Sequence, residues 1–276
     1  QLGNLRFRSL SMNLLTHRKP LVVCGRVVFI GCDGIADAWL GDGRTHGFWR
    51  DSHYRVEGPA VAQIQQAFMD NWIQTRAALL HGDDYFPKLE RAGDHTCQVF
   101  RSSAGEGSDS ARLMLLISIA AARHNIRIAN AYFIPDTLTI QTLLEARARG
   151  VDVQIIGPSY DTDALFVRAV GKTRWLPLLK AGVRFYEYQP ARFHCKYLLI
   201  DDCWASVGSA NLDNRSLSLN EEANLNILDH DFVGAHIRIF EDDKRPSREI
   251  TLADGRMEEH TSEIQSRQHT VVRSWM

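Results

Sequence analysis

Beyond residue 95 the chain alternates short apolar runs with longer segments whose apolar residues fall at helical spacing. "CQVF" predicts a strand, and a polar Ser/Gly loop (Ser102–Ser110) leads into the apolar helix that runs through Ala122. "IRIANAYF" (Ile126–Phe133) predicts the next strand. Pro135 and Asp136 then open a helix that Gly150 closes in the manner of a C-cap. "VDVQIIG" predicts a strand and the segment around "TRWLPLLKAG" a helix ending at Gly182. Four more strands follow in "VRFYEYQ", "CKYLLID", "WASVGS" and "EANLNIL", and "DFVGAHIRIFEDD" predicts a helix. Strands alternating with helices, with near-continuous apolar strand runs, indicate the α/β class, a sheet covered on both faces. The tail Arg256–Met276 has no clear period and is expected as a frayed, partly helical end.

The chain also matches itself. "HRKPLVVCGRVVFIGCDGIAD" (His17–Asp37) lies over "HCKYLLIDDCWASVGSANLDN" (His194–Asn214) without a gap. His17 falls on His194, Lys19 on Lys196, Leu21 on Leu198 and Gly31 on Gly208. Shared polar residues at one offset, with apolar stretches between, indicate a duplicated unit. The second unit is traceable in full, whereas sixteen residues precede His17, too few for the strands and helices that precede His194. The first unit is therefore expected to be incomplete. The expected organisation is residues 1–94 as the later part of the first unit, 95–255 as the second, and 256–276 as the tail.

In H-x-K on a strand both side chains leave the same face. An imidazole beside an ammonium suits a phosphate ester, because the lysine neutralises the nonbridging oxygens while the histidine attacks phosphorus or protonates a leaving oxygen. Ser209 and Asn211, also two apart, are expected to donate to the same oxygens. A carboxylate would orient each histidine. Glu222 is the candidate for His194, and Asp51, in "FWRDSHYRV", for His17.

The pattern H-x-K-x4-D-x6-G-S-x-N, complete at His194, Lys196, Asp201, Gly208, Ser209 and Asn211, resembles the signature of the phospholipase D superfamily. "IANAYFIPD" and "SANLDNRSLSLNEEANL" resemble the second half of a bacterial cardiolipin synthase, and "WRDSHYRVEGPAVAQIQQAF" its first half. The resemblance implies two pseudo-symmetric units, each a mixed β-sheet flanked by helices, and a two-step transfer using one motif histidine from each. It further implies a covalent phosphohistidine and no metal or other cofactor. The catalytic set it implies is His17, Lys19, His194, Lys196, Asp201, Glu222 and Asp51. Family analogy gives the nucleophile's role to His17 and the acid's to His194, although the sequence itself does not order them. The implied partner is an anionic, phosphatidylglycerol-like phospholipid at a membrane surface, met peripherally at the cytoplasmic face. Self-association that lends a second motif is conceivable.

The first motif departs from this pattern. Cys24 stands where Asp201 would, Cys32 at the place of Ser209 and Gly34 at that of Asn211. Loss of a carboxylate at Cys24 is expected to strand its hydrogen-bond donors and reduce activity.

Composition narrows the alternatives. The net charge is -1, so bulk attraction to nucleic acid is not expected, and no basic, aromatic-interleaved stripe supports a nuclease of the same superfamily. A non-catalytic remnant that binds lipid or a partner is the reading from a different class. Five cysteines without C-x-x-C spacing argue against a disulfide framework or a zinc site. The most apolar run, Leu113–Ala122, is too short to cross a bilayer.

Overall fold

The apolar runs become strands wherever they can be covered on two sides. The structure, a computed structural model, describes residues 16–102, 110–159 and 165–254. Strands β1 (Leu21–Val23), β2 (Val27–Gly31), β3 (Trp49–Arg50) and β4 (His53–Glu57) are followed by helix α1 (Ala60–Arg76). Then come β5 (Thr96–Arg101), α2 (Ser110–Ala121), β6 (Asn125–Asn130), α3 (Thr137–Ala148), β7 (Asp152–Pro158), α4 (Leu165–Lys180) and β8 (Arg184–Tyr188). The chain continues through β9 (Arg192–Phe193), β10 (Lys196–Ile200), β11 (Trp204–Gly208), α5 (Asn214–Ser218), β12 (Ala223–Leu228), α6 (His230–Lys244) and β13 (Ser247–Ile250).

Eight strands form one mixed sheet in the order β13-β8-β7-β6-β10-β11-β12-β5. β6, β7 and β8 are parallel, joined by α3 and α4, and the remaining pairs are antiparallel. Every residue of β10 is buried, and so is every residue of β7 after Asp152, which is why these segments read as unbroken apolar runs. Short polar side chains start the helices: Asp136, Asp213 and Asp229 accept from the backbone N–H groups of Thr139, Ser216 and Phe232.

The predicted strand Ile126–Phe133 stops at Asn130, whose Oδ1 accepts from the N–H groups of Tyr132 and Leu212 and so turns the chain. The helix predicted over Asp231–Asp243 begins at His230. The helix continues to Lys244, and Ser247–Ile250 then adds an edge strand against β8. Most of the polar loop before α2 and the tail from residue 256 lie outside the described residues.

The repeat is visible in the backbone. β1, β2 and β4 form a three-stranded antiparallel sheet, the counterpart of β10, β11 and β12. The β1–β2 turn carries two left-handed residues, Cys24 (φ 50°) and Gly25 (φ 62°), and the β10–β11 turn two more, Asp201 (φ 50°) and Asp202 (φ 56°). Such turns suit the twist of a tight hairpin. Gly31 and Gly208 close β2 and β11, where a Cβ would meet the neighbouring strand at 2.6 Å (Ser52 O) and 2.4 Å (Ala223 O).

Two apolar layers cover the large sheet. On one face, Val28, Ile30 and Val56 of the small sheet and Ile64 of α1 join Val207, Ile227 and α6's Phe240 in one core. On the other, α2, α3 and α4 pack through Leu115, Leu143 and Leu178 against Ile128 and Ile155. The small sheet is thus fixed against the large one by shared burial, and that docking assembles the site.

Candidate active site

Each H-x-K segment enters the site beside a short stretch of the other unit. The N–H of His17 donates to the carbonyl of Glu221 at 3.0 Å, and the N–H of His194 donates to the carbonyl of Arg50 at 2.8 Å. In both cases the carboxylate comes from the next residue. His17 Nδ1 lies 3.0 Å from Glu222 Oε2, and His194 Nδ1 lies 2.6 Å from Asp51 Oδ2. The pairing is therefore crossed, which corrects the expectation that Glu222 serves His194 and Asp51 serves His17. Spacing along one unit cannot reveal this, because the partners are chosen by how the two units dock.

Glu222 is a buried hub, its side chain 1% exposed. Besides His17 it accepts from Ser209 Oγ at 2.6 Å and from Ser216 Oγ. Ser209 is thus committed to the carboxylate instead of pointing its hydroxyl at a substrate oxygen, a correction to its expected role. Asn211 donates its backbone N–H to Ser216 Oγ, and its own buried Oδ1 has no hydrogen-bond partner among the described residues.

The lysines behave differently in the two motifs. Lys196 Nζ lies 3.0 and 3.1 Å from the ring nitrogens of His194 and donates to that residue's carbonyl. Lys19 Nζ instead lies 3.4 Å from Cys32 Sγ, which is itself 3.7 Å from His17 Nε2. Burial alone would lower the His17 pKa, but the hydrogen bonds with Cys32 and Glu222, together with the Glu222 charge, outweigh it and raise it to about 9.

Asp201 is not in this constellation. It sits in the hairpin turn at the far end of β10 from His194 and accepts from the backbone N–H groups of Arg123, His124 and Asn125 at 2.7, 2.7 and 2.9 Å. Burial works to raise its pKa, but these three donors hold it below the usual carboxylate range. It clamps the α2–β6 connection, away from the two histidines. Cys24 occupies the equivalent turn of the first unit and is exposed there. The expectation that its thiol strands hydrogen-bond donors is therefore not supported by its exposed position. Asp201→Ala is expected to lower stability by about 1–2 kcal/mol while turnover per folded molecule stays unchanged. Urea unfolding beside a turnover assay checks both.

Several residues of the site were not singled out as functional by spacing. Trp49 stands edge-on to the His194 ring at 4.8 Å, Trp39 at 6.0 Å and Tyr132 at 6.3 Å. These aromatics line the approach to His194 from outside the motif. Arg18, the middle residue of the first H-x-K, is buried and donates to the carbonyls of Ala67 and Ser102 at 2.7 Å and to Asp70 at 3.1 Å. It ties the first motif to α1 and to β5's end. Arg50 binds Asp243 of α6 through two hydrogen bonds of 2.8–2.9 Å and so fixes the segment that carries Asp51. Among the described residues, no group of three or more His, Cys, Asp or Glu is arranged to hold a metal ion. The arrangement offers two imidazoles, each oriented by a buried carboxylate, with two ammonium groups beside them.

Comparison with known proteins is consistent with that chemistry. A family described as the cardiolipin synthase, phospholipase D-like domain matches residues 115–244. Cardiolipin synthase A of Pseudomonas putida (strain GB-1) is 35% identical over 252 residues, which cover 91% of this chain and 52% of that protein. The cardiolipin synthase of Staphylococcus aureus (strain Mu50) is 36% identical over 247 residues, 89% of this chain and 50% of that one. The chain spans about half the length of the curated relatives it matches. In fold it is similar to the phosphatidylserine synthase of Haemophilus influenzae Rd KW20, with a TM-score of 0.66 and 12% identity over 92% of this chain and 70% of that one.

Proposed function

This chain belongs to the phospholipase D superfamily as a cardiolipin synthase-like member, and from that premise we propose that it transfers a phosphatidyl group between alcohols through a covalent phosphohistidine. The observation that carries the reading is the pair of crossed His–carboxylate contacts, His17–Glu222 and His194–Asp51, beside Lys19 and Lys196. One imidazole nitrogen forms a bond to phosphorus, and the ester bond to the leaving alcohol breaks. The other histidine gives that oxygen its proton and then takes one from the acceptor hydroxyl, whose oxygen displaces the histidine. The lysines neutralise the nonbridging oxygens as charge builds on them.

The donor is a phosphatidylglycerol-like lipid and the acceptor a second one, reached from a membrane surface at the cytoplasmic face. Among the described residues no helix is long and apolar enough to cross a membrane, so the contact is peripheral in this reading. The loop that holds Trp39 supports it, because Ile35 and Leu40 on that loop are 109% and 83% exposed. Aliphatic side chains projecting beside an aromatic-lined site suit entry into the lipid interface. Replacing both by glutamate is expected to weaken binding to phosphatidylglycerol vesicles by at least about thirtyfold, since each loses about 1 kcal/mol or more of apolar transfer. Turnover of a short-chain, water-soluble phosphodiester is expected to change much less. Equal losses on both substrates would argue against a lipid-contacting loop.

The direct test is mass spectrometry of the acid-labile phosphohistidine after brief incubation with phosphatidylglycerol vesicles. Wild type is compared with His17→Ala and His194→Ala. An adduct that disappears in one variant supports the reading. A folded protein that binds vesicles and forms no adduct would instead favour a binding remnant.

A further inference from the structure

Asp33 stands in the first motif where Ala210 stands in the second, so the two copies of the unit set a carboxylate against a methyl group. Its chain neighbours hold it at the rim of the site. Cys32 before it lies 3.4 Å from Lys19 Nζ and 3.7 Å from His17 Nε2. Gly34 after it lies against Trp39, whose ring a Cβ at that position would meet at 2.9 Å. Trp39 stacks on Trp49 with ring centroids 4.7 Å apart, and both indoles stand beside the His194 ring. Asp33 thus lies between a residue that touches one histidine and a residue packed on the aromatic wall of the other.

The other two carboxylates of the site are spent, whereas this one is open. Glu222 is held by His17, Ser209 and Ser216, and Asp51 by His194 and the backbone N–H of Ser52. Among the described residues the one polar partner of the Asp33 carboxylate is His53 Nδ1, 3.6 Å from Oδ2 and beyond a good hydrogen bond, and the side chain is 37% exposed. A carboxylate offers about four lone-pair positions, so Asp33 has room for donors from a bound molecule. Burial and the charge of Asp51 push its pKa up, and the charges of His53, Lys196 and Arg50 offset this only in part. These same charges sort the donors. An ammonium brought to Asp33 would also meet Lys196 and Arg50, whereas a neutral hydroxyl meets no such repulsion.

We propose that Asp33 is a specificity-determining residue: its carboxylate takes a hydrogen bond from the second hydroxyl of a vicinal diol and so selects glycerol-type headgroups. This rests on the phosphatidyl-transfer reading above. In the transfer step one hydroxyl oxygen of the incoming alcohol bonds phosphorus, the P–N bond breaks, and the histidine not bonded to phosphorus takes the proton. The neighbouring hydroxyl donates to Asp33, which neither bonds phosphorus nor moves a proton. A simple alcohol spends its single hydroxyl on phosphorus and leaves Asp33 without a donor. By reversal of the same step, the contact also holds a glycerol headgroup as it leaves, so one carboxylate serves both lipids in turn. Ala210 has no side-chain oxygen, and the recognition is therefore confined to the Asp33 side of the site.

The test gives this chain phosphatidylglycerol vesicles together with deuterated glycerol, propanol and ethanolamine at equal concentrations. Mass spectrometry reads deuterium-labelled phosphatidylglycerol, phosphatidylpropanol and phosphatidylethanolamine. Their ratio depends on the step that consumes the intermediate and not on how fast the intermediate forms. Wild type is expected to favour glycerol over propanol by at least about tenfold, the worth of one charge-assisted hydrogen bond. Asp33→Ala is expected to lose most of that preference at an unchanged melting temperature, and Asp33→Asn, which keeps an oxygen that accepts, to retain part of it. A glycerol-to-propanol ratio that is the same in wild type and folded Asp33→Ala overturns the proposal and leaves the transfer reading standing. A wild-type preference for ethanolamine that Asp33→Ala abolishes also overturns it, since the carboxylate would then serve a cation. If the wild type makes none of the three products, the transfer reading itself fails and the proposal with it.

Discussion

Glu222→Ala is expected to lower stability by about 3–5 kcal/mol, as removal of one member of a buried, hydrogen-bonded ion pair does, and to lower turnover by at least about 10²-fold. The carboxylate is 1% exposed and gathers His17, Ser209 and Ser216. Its loss leaves two buried hydroxyls and an imidazole without their common acceptor, and the segment that carries His17 loses its orienting contact. Guanidinium unfolding measures the first effect, and turnover of the folded fraction measures the second. Glu222→Gln separates charge from shape. It should keep more of the stability but lower the pH at which His17 titrates, as seen by NMR of the imidazole. Asp51→Asn should leave the titration of His17 where it is, because Asp51 contacts the other histidine. Uncrossed responses would contradict the contacts described above.

His194→Ala is expected to lower turnover by at least about 10²-fold, whether its ring bonds phosphorus or moves the proton of the leaving alcohol. The fold should survive this change. The segment is pinned by backbone contacts, including the His194 N–H to the carbonyl of Arg50 and the parallel pairing of Trp49–Arg50 with Arg192–Phe193. Loss of turnover with an unchanged melting temperature is the expected pair of observations. Retention of more than about one per cent of wild-type turnover would remove His194 from the chemistry.

Much of the second unit's layering is legible in the sequence because parallel and central strands are buried on both faces. "CKYLLID" and "VDVQIIG" read as strands for that reason, and the structure gives them as β10 and β7. The H-x-K spacing likewise brings Lys196 within 3.1 Å of its own histidine. What the sequence hides is whatever depends on docking between units. Glu222 and Asp51 are both legible as carboxylates near the histidines, yet which serves which is a three-dimensional fact. Asp201 misleads because a motif position records recurrence and not purpose; its carboxylate holds a turn. Cys32 is overlooked for a related reason. Aligned with Ser209, it reads as a departure of little weight, while its contact with His17 Nε2 depends on which way the side chain turns after β2. Trp49 and Tyr132 have no periodicity that distinguishes a ring beside a reacting histidine from one in the core.

The crossed pairing has the form that a twofold axis generates, in which residue i of one copy meets j of the other and j meets i, as in an isologous dimer contact. Here the two copies lie in one chain, so the contact is covalently guaranteed at any concentration. Neither copy carries a working half-site alone, because each lends its carboxylate and borrows the other's. A sequence change that tilts the small sheet would therefore release both histidines together. Substitutions along the surface between the copies, at Val28 or Ile64 for example, then act on both histidines from a distance, and the two motifs are bound to change as a pair.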